Sequence, residues 1–422
     1  MATKRTVEIR MYHVGFGDAF RITVKRGTDV WRMLVDCGVH GASVGADIQQ
    51  SVKEIIADLK SESADGTAHL DVVVATHHHQ DHVVGFAEDD WADVQVDEVW
   101  LPYVENPNDP DTKKLGDHAF AAAKLEALID AQLSKPSLTA GATAKLEMAK
   151  AFAVNSGVKE KIKKAMDRLG SRNGQHFAAP LTPRFLPDAN EDENTIDIGR
   201  LGIVARVLGP SRDPALLKKM DPPKKVHWLN LDEVNDVGHD DDRPLFNPTY
   251  IVDGDTVSHD LTSAKNSLTL GDLADETDGL LLAASILESA TNNTSLFFVL
   301  EVGSLRFLFP GDAQHGAWEF VRNNPDASAL IDSVDFYKVG HHGSHNATPK
   351  PFVLDEWTTT GDAMVPWGSV KSFDDTIPKK ELIDALTAAE HRVVLPGDVR
   401  PGAGTAALLE GANFSQLTFT VP

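Results

Sequence analysis

A chain of 422 residues, 42% hydrophobic and 24% charged, is long enough for one large or two ordinary domains with a sizeable core. Its formal charge of −23 repels polyanions at long range and argues against a general nucleic-acid coat protein. No run of eighteen or more apolar residues is available to span a bilayer. The single cysteine, Cys37, rules out an internal disulfide framework and fits a reducing compartment. MATKRTVEIRMYHVG has neither an apolar core nor a small-residue cleavage site, so the expected location is the cytoplasm.

Residues 6 to 12 (TVEIRMY) and 19 to 24 (AFRITV) have the β-branched content of strands, joined through the Gly-rich HVGFGD turn. WRMLVDCG predicts a further strand ending at Asp36 and Gly38. ADIQQSVKEIIADL, residues 46 to 59, spaces its apolar positions as a helix does. LDVVVAT is a continuous apolar run of the kind found in a strand covered on both faces, and DEVWLPY supplies the next strand.

From residue 116 the character changes. AFAAAKLEALIDAQL and KEKIKKAMDRL have helical spacing and few β-branched residues, which predicts a helical insertion over 105–190. Within it, KEKIKK reads as one face of a solvated helix. TIDIGRLGIVARVLGP (195–210) restores the strand pattern, and the Asp- and Pro-rich stretch that follows predicts an irregular insertion or lid over 211–285. TSLFFVLEVGSLRFLFPGD is a hairpin turning near Gly303, VDFYKVGHHGS a strand and loop, and PKKELIDALTAAEHRVVL a helix and strand. Two groups of strands with helices in both suit a single α/β domain over 1–422, built as a layered sandwich with helices outside two sheets.

The chemistry concentrates in DVVVATHHHQDHVVG, residues 71 to 85. His77, His79, Asp81 and His82 follow a buried strand, and His77 and His79 point to one side if the segment is extended. Imidazoles packed at a core edge cost about 1–3 kcal/mol each unless their nitrogens find partners, so a metal site is the economical reading. FLFPGDAQHG places Asp312 at another strand end, and FYKVGHHGSHN does the same for His341 and His342. Three strand ends terminating in nitrogen and oxygen ligands converge most simply on one pocket.

With these segments the chain resembles the metallo-β-lactamase superfamily of metal-dependent hydrolases. Within it, the chain is similar to the hydrolase domain of the DNA-internalisation competence protein ComEC. The matching pieces are HVGFGD (13–18), LVDCG (34–38), THHHQDHVVG (76–85), NNTSLFFVLEVGSLRFLFPGDA (292–313) and VDFYKVGHHGS (334–344). The resemblance implies a four-layer αββα sandwich with two metals at one sheet edge. By position it implies His77, His79, Asp81, His82, Asp312 and His341 as ligands, with Asp312 bridging. His342 is the alternative to His341, or a contact behind the ligands or with a phosphate, with a catalytic role, and Asp36 would support the ligand loop through hydrogen bonds. Many members supply a further histidine between the first cluster and the bridging aspartate; His118, His176, His227, His239 and His259 lie in that interval here, and none follows a convincing strand. His13 stands where the competence protein has Asp, and there are no channel segments, so DNA uptake is not implied.

Two divalent cations would activate water at neutral pH, with Asp81 orienting it or shuttling its proton. Nitrogen and oxygen ligation fits zinc, and manganese is credible. Ser344, His345 and Asn346 are candidate substrate contacts. The expected substrate is a phosphodiester: a compact nucleotide suits the acidity better than long duplex DNA, and single-stranded nucleic acid is a further candidate partner. A carboxylic ester, lactone, amide or thioester is the alternative substrate, and a non-catalytic sensor or interaction domain the alternative role.

Overall fold

β1 (Arg5–Tyr12), β2 (Phe20–Arg26) and β3 (Asp29–Val35) form an antiparallel meander that sets Val7 opposite Val24 and Phe20 opposite Val35. The protein is described by a computed structural model covering residues 4–112, 125, 128–135, 138–156, 160–217, 219, 228, 277–370 and 376–422. Helix α1 (Ile48–Ser61), capped by Asp47, whose side chain accepts from Gln50 N–H, then crosses over to β4 (His69–Val74), which runs parallel to β3. The apolar continuity of β4 has a direct cause. Val72 and Val74 join the core between the sheets, while Leu70 and Val73 pack under α1 with Val52, Ile55 and Leu59. The short α2 (Gln80–Val83) leads toward β5 (Gln95–Pro102), parallel to β4.

The segment expected as a helical insertion divides in two. Helix α3 (Ala140–Ser156) belongs to it, but α4 (Glu160–Leu169) buries Ile162, Ala165 and Leu169 in the core under the first sheet. Lys161, Lys163 and Lys164 of KEKIKK thus ride on a helix whose opposite face is core. β6 (Arg184–Leu186) then pairs with β5 as an edge strand, so the tail of 105–190 is part of the sandwich. Much of AFAAAKLEALIDAQL, most of 211–285, and His118, His227, His239 and His259 lie outside the described residues.

The second sheet holds β7 (Thr195–Asp197), β8 (Ile203–Gly209), β9 (Phe297–Val302), β10 (Leu305–Phe309), β11 (Phe336–Lys338), β12 (Asp362–Met364), β13 (Arg392–Leu395) and β14 (Asp398–Arg400). Before β9, the end of the expected irregular insertion is helical, as α5 (Thr277–Asn292). Helices α6 (His315–Asn323) and α7 (Pro325–Ile331) connect β10 to the parallel β11, and α8 (Lys380–Ala388) precedes β13. Finally β15 (Ala407–Glu410) and β16 (Phe414–Val421) return to the first sheet, where β16 pairs with β1 along eight residues. Among the described residues each sheet therefore has eight strands.

The two sheets face one another across Ile9, Ile22, Val72, Leu300, Phe307 and Phe419, and helices cover their outer faces. This is a two-sheet α/β sandwich. Strands β3, β4, β10 and β11 each run in a parallel pair, and their carboxyl ends are followed by Asp36, His77, Asp312 and His341 respectively. Crossover connections leave such ends open for ligands. No helix among the described residues is long and apolar enough to cross a membrane.

Candidate metal centre

Asp36 ties the first sheet to the histidine loop. Its backbone is left-handed (φ 58°), which turns the carboxylate back across the end of β4. There it accepts from Thr76 N–H at 2.7 Å, Thr76 Oγ1–H at 2.8 Å and His82 Nδ1–H at 2.8 Å. Three main-chain segments close against each other beside it: Cys37 N–H donates to His82 O at 2.7 Å, Gly85 N–H to Cys37 O at 2.8 Å, and Asp18 N–H to Asp81 O at 2.9 Å. A Cβ on Gly38 would overlap the backbone of Asp81 and His82, and one on Gly85 would overlap Cys37. The glycines are there because backbone meets backbone.

Inside this frame Asp81, His82, Asp312 and His342 each offer a ligand atom, all within 4.8 Å of one another and all buried. His82 Nε2 lies 3.0 Å from Asp312 Oδ2, and His342 Nε2 lies 3.2 Å from Asp81 Oδ2. The opposite nitrogens are spoken for: His82 Nδ1 by Asp36, and His342 Nδ1 by the carbonyl of Pro366 at 3.0 Å. A neutral imidazole that donates from Nδ1 has only a lone pair at Nε2. Each Nε2 faces a carboxylate oxygen, so either a proton on the ring or a shared cation must lie between them. Asp81 Oδ1 is buried with no hydrogen-bond partner. This donor set fits a divalent cation.

His77 and His79 stand beside the group, with His77 Nε2 3.0 Å from His79 Nδ1 and the rings of His77 and His82 4.1 Å apart. His78 turns away to Glu105, at 2.7 Å. The histidine that enters the group is His342, in place of the expected His341. Both residues are left-handed (φ 47° and 52°) and Gly343 follows at φ 78°, so the chain coils tightly after β11. That coil swings His342 inward against Phe16, ring centroids 4.1 Å apart, and leaves His341 beside Ser344 Oγ at 2.8 Å. His341 still touches the centre through its backbone N–H, which donates to Asp312 Oδ1 at 2.9 Å. His176, the one described histidine of the interval, lies by its own neighbour's carbonyl, Nδ1 2.5 Å from Phe177 O.

Burial drives the His79 imidazole down to about 3 and the His77 imidazole well below its ordinary value, with the neighbouring histidines adding to the effect at His77. Both therefore keep lone pairs for coordination near neutral pH. At Asp81 and Asp312 burial opposes ionisation, and His82 outweighs it, so both carboxylates are held below the usual range. His82 moves the other way: burial is overcome by Asp312, Asp18 and Asp36.

Four residues at the centre escaped the sequence reading. Lys338 is buried, pairs with Asp18, and donates to Asp312 Oδ1 and Gly311 O, each at 3.0 Å. Its side chain neutralises the aspartates from behind, and they in turn raise its pKa against burial. Ser295 Oγ accepts from Asp312 N–H at 3.0 Å and sits 3.2 Å from His77 Nδ1. Asn155 Oδ1, at the end of α3, accepts from Asp81 N–H at 3.3 Å. Asp18 and Lys338 stood in plain view in HVGFGD and FYKVGHH, as a lone acid and base; for Asn155 and Ser295 there was no local signal.

A cleft of about 260 Å³ opens beside Asp81 and His341, and Ser344, His345 and Asn346 are among the residues that line it. No protein-family model matches the chain, and no curated protein matches it.

Proposed function

We propose that this protein is a metal-dependent hydrolase of the metallo-β-lactamase type, with that superfamily's four-layer αββα architecture, cleaving phosphodiester bonds of a nucleotide or nucleic acid. The observation that carries the reading is the buried convergence of Asp81, His82, Asp312 and His342, whose ligand atoms all lie within 4.8 Å of one another, with each Nε2 facing a carboxylate oxygen. His77, His79, Asp81, His82, Asp312 and His342 would hold two divalent ions, zinc or manganese. When bound, the ions supply an electrophile for the oxygen that gains charge and bring the pKa of water from 15.7 toward about 7.

The chain's own residues do the positioning. Asp36 and Pro366 O keep His82 and His342 in the tautomer that presents Nε2 inward. Lys338 offsets the negative charge of Asp18 and Asp312, so the centre does not repel an anionic ester as strongly as its carboxylates alone would. Asp81, with one oxygen unpartnered, can hold a proton-bearing group at the edge of the cleft. Support for phosphodiester chemistry comes from the resemblance of HVGFGD, THHHQDH, PGDA and KVGHHGS to the ComEC-like sequences.

The test is turnover of bis(p-nitrophenyl) phosphate beside a lactone and a p-nitrophenyl ester, on protein whose zinc and manganese content is measured. Asp312→Asn and His79→Ala are expected to lose metal and about a thousandfold in kcat/KM while staying folded. Turnover of lactones or esters alone would replace the phosphodiester reading. Metal-free protein with unchanged activity in both variants would end it.

A further inference from the structure

The cleft beside the centre has two unlike walls. One is apolar: Phe16 from the HVGFGD turn, with Met148 and Phe152 from α3. The other carries Gln314, Asn346 and Lys379. Helix α3 is held in place on both sides. Leu146, Ala149 and Ala153 pack against Leu280 and Ala284 of α5, while Ala151 O accepts from His40 Nε2–H at 3.3 Å and Asn155 caps the Asp81 N–H. Positions 148, 152 and 155 recur at helical spacing, so a single face of α3 borders the cleft. The wall is part of the centre's frame.

Two polar groups in this cleft lack partners. Gln314 is 1% exposed, yet its Oε1 accepts no hydrogen bond. Its Nε2 lies 3.5 Å from His341 Nδ1, which places the amide near the metal end. Lys379 makes no ion pair among the described residues. A buried acceptor without a donor is unfavourable, and a ligand hydroxyl or amine would relieve that cost. An alkyl chain would leave Gln314 unsatisfied. At about 260 Å³ the space falls below the roughly 300–1,000 Å³ of drug-sized sites, so it admits one small unit and not a packed duplex.

Resting on the phosphodiester reading above, we infer that the cleft takes a single nucleotide unit. Its base lies against Met148 and Phe152, a hydroxyl or amino group donates to Gln314 Oε1, and Lys379 meets the phosphate together with the centre. The helical insertion is then the specificity element.

The test is calorimetric binding to the metal-loaded full chain, with inorganic phosphate, ribose 5-phosphate, adenosine 5′-monophosphate and a single-stranded oligonucleotide as probes. Adenosine monophosphate is expected to bind about tenfold or more tighter than either smaller anion. Phe152→Ala should lower its affinity about tenfold and leave phosphate affinity unchanged. Because Phe152 also packs within the insertion, Met148→Ala provides a second variant, and thermal melting reports whether either has disturbed the fold. Equal affinity for phosphate and nucleotide, or a nucleotide affinity indifferent to both variants, overturns the inference; if phosphodiester turnover persists, the function above survives it. Tighter binding of the oligonucleotide that ignores Phe152→Ala overturns it as well. Failure of every phosphate-bearing probe to bind ends both proposals.

Discussion

At the scale of single residues, Asp36 is the group that most directly positions the proposed ligand set. It accepts three hydrogen bonds, and one of them decides which nitrogen of His82 keeps its proton. Asp36→Ala is expected to lower metal affinity about 10–100-fold, read by competition with a chromophoric chelator. A second residue reports on stability away from the centre. His391 is buried against Trp357, rings stacked 3.6 Å apart, and accepts from Gly361 N–H at 3.2 Å. Burial lowers its pKa from 6.5 to about 4. The unfolded chain therefore takes up the proton first as pH falls. The stability contribution is complete above pH 6.5 and lost as pH drops through about 4. Urea unfolding of the wild type should lose about 1–2 kcal/mol more across that window than His391→Phe, which keeps the stack but cannot be protonated. Equal slopes for the two proteins would show that another group governs the acid limb.

At the scale of elements, the histidine loop and the end of β3 act as one unit because their main chains touch without side chains between them. Gly38→Ala inserts a methyl group against the Asp81 and His82 backbone. The variant is expected to cost about 1–3 kcal/mol in stability and at least tenfold in metal affinity, by unfolding and chelator competition respectively. Gly141→Ala in α3 is the control, since its Cβ meets nothing within 4 Å, and it should be neutral or slightly stabilising. Local pattern made most elements legible. ADIQQSVKEIIADL became α1 with its apolar stripe on the core, and TSLFFVLEVGSLRFLF became the β9–β10 hairpin turning at Gly303. The extent of the insertion was misread because α4 looks equally helical whether its apolar face meets an insertion or the first sheet. Edge strand β6, three residues long, carries too little pattern to announce itself.

At the scale of the whole molecule, the sandwich depends on a contact between strands about as far apart in sequence as the chain allows. β16 pairs with β1, and Phe419 reaches across to Phe307, ring centroids 5.1 Å apart, joining the two sheets. Phe419→Ala is expected to destabilise the protein by about 3–5 kcal/mol in denaturant unfolding, with the histidine loop unchanged in sequence and local contacts. A cost under about 1 kcal/mol would mean that the sheets do not share one core.

The sequence by itself determined which residue types could supply the candidate ligands, and at which strand ends. Four of these ligands crowd into residues 77 to 82, and Asp312 and the His341–His342 pair stand just after apolar runs, so residue type and strand-end position were both readable. Which of two adjacent histidines turns inward was not readable, because that depends on three successive left-handed residues held by Asp312 and the Pro366 carbonyl. Nor could the sequence place Lys338, Asp18, Ser295 and Asn155 around the same space. Each is ordinary in its own segment. Only the tertiary structure brings them together, because hydrogen bonds and ion pairs between distant segments leave no periodicity in the segments they join.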